Sequence, residues 1–186
     1  FIAYLSIIPS LALFVTVLET AFFERFTAYF RCIERHGTLA QVQIRAGDIE
    51  RETVRTLSRI MLLQTSLCLM VILLTPIIIQ LAELTYKQVS ILRFGALGAL
   101  FHFLFLASSS LLLFFDRHVF YAILQILFLV LQSTLTYLLL FWGTDFLGLG
   151  YLIASVISSL ASLYMLECMI RNLDYITFAS SSSKMP

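Results

Sequence analysis

Charge is what this sequence has least of. Acidic and basic residues together make up 12% of its 186 positions, about half the roughly 25% of an average soluble domain. A soluble enzyme domain is excluded on that ground. A net charge of +1 also excludes a nucleic-acid-binding domain, because phosphate meets no general attraction. Cysteine is scarce too. Cys32, Cys68 and Cys168 stand far apart with no ligand-like neighbour at metal spacing, which argues against a disulfide framework or a zinc site. There is no HExxH, no Walker motif and no carboxylate pair inside an apolar run, so neither a cofactor nor catalysis is expected. Asp116, Arg117 and His118 are the only dense polar set, and three consecutive residues of a tight turn do not converge on a substrate. An initiator Met and a basic leader followed by a cleavage site are also missing. The chain therefore reads as part of a longer membrane protein entered mid-chain.

What is present is hydrophobic: 60% of residues, distributed in long uncharged runs. Thirteen of the 23 charged residues fall between Glu19 and Arg59. Outside that segment five stretches suit a bilayer, which takes roughly 20 apolar residues per helix. They are residues 1–18, 60–82, 94–115, 119–144 and 146–166. None alternates like a membrane β-strand, so each should be a helix, the one open-ended structure that satisfies its own backbone in lipid. The expected fold is all-α and integral to the membrane, a polytopic bundle of about five spans. Ten of the twelve Lys and Arg lie on one side of this topology. That side should be cytoplasmic, along with the Asp116–His118 turn and the C-terminus.

The 19–59 segment should lie against the inner surface as amphipathic helices. Phe22, Phe26, Tyr29, Phe30 and Ile33 recur at helical spacing, with Glu24, Arg31, Glu34 and Arg35 opposite and Gly37 as a plausible C-cap. Asp48 can cap a second helix carrying Arg51, Arg55 and Arg59 at i, i+4, i+8. This cytoplasmic basic row reads either as an anchor to anionic headgroups or as a gathering site for an anionic or polymeric substrate.

Polar residues inside spans carry a cost, and so face other helices or water. Gln64, Cys68 and Thr75 share a face of the second span, ahead of a kink expected at Pro76. His102 lies near the middle of the third, with Ser108, Ser109 and Ser110 beyond. Tyr121, Gln125, Gln132 and Thr136 line one face of the fourth. Ser155, Ser159 and Ser162 form a row on the fifth that suits tight helix packing. For the glutamines, interhelical hydrogen bonding and the lining of a hydrated cavity are both open. His102 is either a protonation switch or a neutral, hydrogen-bonded histidine. Substrate-path candidates are thus His102, Gln125, Gln132, Thr136 and Gln64. The aromatic residues could serve as sugar-stacking platforms, but most read as lipid-facing bulk and interfacial belt. Gly148 and Gly150 suggest a tight bend opening the last helix, and Ala179–Pro186 a solvated polar tail.

Several stretches carry a family resemblance. The run TLSRIMLLQTSLCLMVILLTPIIIQLA after a basic amphipathic segment, then YKQVSILRFGALGAL, then FWGTDFLGLGYLIASVIS, resembles the second half of the multidrug/oligosaccharidyl-lipid/polysaccharide exporter superfamily. Within it, IPSLALFVTVLETAFFERF, HGTL, LLLFFDRHVFYAILQILFLVLQ and ECMIRNLDYITF resemble the PelG-type exporters of the Pel exopolysaccharide. The resemblance implies a flippase-like transporter of two similar halves in the bacterial inner membrane, of which this chain would supply the last five helices. It also implies a polysaccharide substrate handed over by a cytoplasmic glycosyltransferase, alongside other membrane subunits, one of which senses cyclic di-GMP. A multidrug or lipid-linked oligosaccharide flippase is the alternative within the superfamily. A membrane scaffold that anchors a glycosyltransferase and moves nothing is the alternative outside it.

Overall fold

The computed structural model describes residues 2–35, 38–81, 88–141, 143 and 146–171. Gly37, the 82–87 connection, Asp145 and the Ala179–Pro186 tail lie outside the described residues. Among those described, every regular element is helical: α1 (Ile2–Leu5), α2 (Ile7–Val17), a π-helical turn (Leu18–Phe22), α3 (Phe23–Glu34), α4 (Leu39–Leu81), α5 (Gln88–Phe114), α6 (His118–Leu140) and α7 (Leu147–Arg171). Four of these, α4 to α7, are long and apolar enough to cross a membrane. The protein is a polytopic helical membrane protein. The first apolar run is shorter, four residues of α1, a turn at Ser6, and the 11 of α2.

Two boundaries differ from expectation, each for a local reason. Asp48 caps nothing. It lies inside α4, 4.0 Å from Arg45, and the helix begins nearly three turns earlier. Its start is a capping box: Thr38 N–H donates to Gln41 Oε1 (3.1 Å) and Gln41 N–H to Thr38 Oγ1 (3.4 Å), satisfying donors that the helix leaves open. From there α4 runs 43 residues, through Pro76, about 65 Å at 1.5 Å per residue. Twice the hydrocarbon thickness, it cannot be membrane throughout. Its uncharged part begins at Ile60, and its first turns extend past the end of α5.

Gly148 and Gly150 form no bend either; both are helical residues of α7. A Cβ on Gly148 would lie 2.8 Å from Ile91 O, and one on Gly150 3.1 Å from Leu139 Cδ1 and 3.4 Å from the Leu135 backbone. These glycines let α5 and α6 approach α7 closely, as small residues do where lipid supplies no hydrophobic drive between helices. The bend before α7 belongs to Gly143, whose φ of 128° favours glycine.

At the other end of α6 the chain turns on Asp116, with φ 57°. Arg117 N–H donates to Leu112 O and Asp116 N–H to Leu113 O, the bond pair that closes a helix around a left-handed residue. Asp tolerates that conformation better than most side chains. His118 Nε2 comes 2.9 Å from Asp116 Oδ1, both exposed.

Helix α5 is the centre of the bundle, with α7 as its most intimate neighbour and α4, α2, α1 and α6 around it. The α5–α7 seam is made of small residues. Ser108 Oγ and Ser162 Oγ meet at 2.6 Å, and Ser155, Ser158, Ser159 and Ser162 are all buried, as tight helix packing requires. Part of the apolar face leading into and along helix α3 packs on protein: Phe22 and Tyr29 are buried while Phe30 stays exposed, and Phe22 and Phe26 pack edge-on against Phe114 and Phe115. Glu50, Thr53, Val54 and Leu57 of α4 line one groove with Leu163, Leu166, Ile170 and Arg171 of α7. These contacts bring the 19–59 segment, the Asp116–His118 turn and the end of α7 to one end of the bundle.

Candidate functional site

Polar side chains on three helices meet at one depth. Cys68 Sγ donates to Ala96 O at 3.3 Å, fixing α4 against α5. The two run in opposite directions, so Gln64, one turn before Cys68, is level with Leu100, one turn after Ala96. On the other side Gln125 Nε2 donates to Ser109 Oγ at 3.4 Å. Seven residues along each antiparallel helix from that bond bring Gln132 level with His102. His102 stands midway along α5, so Gln64, His102 and Gln132 form a layer at mid-depth, on different seams of the bundle.

That layer is under-satisfied. Gln64 is fully buried, yet neither Oε1 nor Nε2 has a hydrogen-bond partner among the described residues; the same holds for Nδ1 of buried His102 and Oε1 of Gln132. Each such atom costs about 1–3 kcal/mol when left unpaired in an apolar interior, and buried polar groups are normally paired with protein or ordered water. Ser10 of α2, fully buried with a hydroxyl that has no partner among the described residues, is the same kind of residue on the neighbouring helix.

His102 is also the hub of an aromatic cluster. Its ring centroid lies 4.6 Å from Phe128, 5.7 Å from Tyr4, 5.7 Å from Tyr151 and 5.9 Å from Phe105. A cleft of about 310 Å³ opens beside it, lined by Tyr4, Leu5, Ile7, Ile8, Leu11, His102 and Leu106. Tyr4 and Tyr151 were not singled out in the sequence. Their convergence depends on α1, α5 and α7 coming together, and no spacing within one helix announces it.

The remaining candidates are less alike. Gln125 is tied to Ser109, an interhelical bond. Thr136 accepts from Gln132 Nε2 at 3.2 Å within α6, beside the backbone against which Gly150 packs. Cys68 and Thr75 share the buried face of α4 with Gln64, and Thr75 is satisfied by Val71 O at 2.9 Å. Arg51, Arg55 and Arg59 are all exposed, with no ion pair to a described residue. By the Cys68–Ala96 register the row runs level with residues 105–113 of α5. No group of three or more His, Cys, Asp or Glu suited to a metal ion occurs among the described residues.

Four bilayer-length helices around an under-satisfied polar layer define a polytopic helical membrane protein. The family follows from comparison. The model described as "PelG: Putative exopolysaccharide Exporter (EPS-E)" matches residues 1–178, and the chain belongs to that family. This bears out the resemblance carried by the FFDRHVF, HGTL and ECMIRNLDYITF stretches. No curated protein and no solved structure matches the chain.

Proposed function

We propose that this chain forms part of the path by which a Pel-like exopolysaccharide crosses the bacterial inner membrane, passed on from a cytoplasmic glycosyltransferase, by transport and not catalysis. The observation that carries the reading is the mid-depth layer. Gln64, His102 and Gln132 hold unpaired donors and acceptors where a hydroxyl-rich chain and its water would pass, and transporters bind near the midplane between moving helical halves. Tyr4, Phe128 and Tyr151 offer ring faces beside His102 for the apolar faces of sugars. Gln125 and Thr136 position the layer, through Ser109 and Gln132. The basic end of the bundle faces the cytoplasm, following the Lys and Arg excess, and takes the C-terminus with it.

The test is secreted polymer in a strain lacking the full-length gene, complemented by the intact gene or by Gln132→Leu. Gln132→Leu should leave protein abundance unchanged and cut export, with polymer retained inside. Normal export by that variant would assign Gln132 to packing alone. If deletion released the synthase from the membrane and stopped synthesis, scaffolding would replace transport. Normal extracellular polymer in the deletion strain would favour a small-molecule flippase.

A further inference from the structure

A second polar feature lies at the basic end of the bundle and is independent of the export reading. Between α3 and the start of α4 is a cleft of about 420 Å³ lined by Ala28, Arg31, Cys32, Arg35, Gln41 and Arg45. That is within the size range of small-ligand sites. Three guanidiniums surround it, and no carboxylate lines it among the described residues. Among the described residues Arg45 has an acidic neighbour, Asp48 at 4.0 Å, too long for a hydrogen bond. Arg31 and Arg35 have no ion pair to a described residue. Like charges gathered around one space give it a positive potential that favours an anion. Gln41 adds a donor, because its Oε1 is already taken by Thr38 N–H and its NH2 remains. The positive end of the α4 dipole lies at the same place. Guanidinium forks match phosphate oxygens in geometry as well as charge.

Distance bears on the source of the phosphate, and the experiment separates a soluble source from lipid. By the Cys68–Ala96 register Glu50 is level with Phe114 at the end of α5, so Arg45 stands five residues beyond that end, about 8 Å along α4. The headgroup layer is only about 5–8 Å deep. Arg35 is 13 residues beyond Phe22, which packs on Phe114 and Phe115 at the inner end of α5. The cleft therefore lies at the water-side edge of the headgroup layer. We propose that it binds the diphosphate group of a water-soluble ligand, whose charge the three arginines balance.

The test uses the intact full-length protein in phosphatidylcholine nanodiscs, titrated with pyrophosphate by calorimetry at low salt. Saturable binding is expected, weakened by salt and weakened at least about tenfold in the Arg31→Gln/Arg35→Gln double variant. Arg31→Lys/Arg35→Lys should retain part of it, and Arg93→Gln, on an exposed residue at the opposite end of α5, all of it. Arg31, Arg35 and Arg45 are exposed, so these changes remove nothing from the core; an unchanged elution profile checks this, and Arg35→Gln alone is read if the double variant aggregates. Absence of saturable pyrophosphate binding, or binding indifferent to Arg31 and Arg35, would overturn the proposal. So would arginine-dependent binding seen only when phosphatidic acid is placed in the nanodisc, which would move the source back to lipid.

Discussion

The same substitution at two glycines should act in opposite directions. Gly47 lies inside α4 past the end of α5, and a Cβ there would meet nothing within 4 Å. Gly47→Ala therefore gains only helix propensity, about 1 kcal/mol in a helix interior. Gly148 is the second residue of α7, where that gain is smaller. Its new methyl would stand 2.8 Å from Ile91 O, 3.0 Å from Phe94 Cβ and 3.2 Å from Ile91 Cα. Comfortable carbon contacts are about 3.5–4.0 Å. Two of the three obstacles are backbone atoms, so no side-chain rotation relieves them and α5 and α7 must part by several tenths of an ångström. Overpacking of that kind costs about 1–3 kcal/mol, which outweighs the propensity gain. For a chain of this size 1 kcal/mol moves Tm by about 2–4 °C. Thermal unfolding of the intact protein, followed by fluorescence-detected size exclusion, should show a rise of about 2–4 °C for Gly47→Ala and a fall of roughly 2–8 °C for Gly148→Ala. An equal rise for both would refute the close approach of α5 and α7.

Other consequences are simpler. Thr38→Ala removes the hydroxyl half of the capping box and should cost about 1 kcal/mol, read as faster amide exchange confined to the first turns of α4. In the α5–α7 seam, Ser162→Ala should be nearly neutral in thermal unfolding. Membrane hydrogen bonds average only about 0.6 kcal/mol, and Ser108 keeps its bond to Leu104 O. Ser162→Leu, by contrast, should destabilise strongly, because packing rather than the hydroxyl pair holds this seam.

Much of the architecture was readable from local rules. A bilayer demands long uncharged runs and a closed backbone hydrogen-bond system, so composition alone dictates transmembrane helices. The serine row of α7 was legible because small residues at helical spacing have few other uses in a membrane. The starts and stops were harder. Asp48 has a capping side chain, yet Thr38 and Gln41 form a better-satisfied start, and nothing between them and Ile60 breaks a helix. Asp116 closes α5 in a conformation usually left to glycine, which no pattern search would prefer.

Gly148 and Gly150 look like a bend in a string of letters and become contact surfaces only when α5 and α6 are laid against them. The candidate site divides in the same way. Gln64, His102 and Gln132 were each visible as polar residues in apolar runs, since a single helix carries that information. Their common depth was not, because it depends on the register of three helices against one another. That register is set by Cys68 against Ala96, Gln125 against Ser109 and the glycine contacts of α7, and side-chain packing between helices leaves no periodic trace within any one of them.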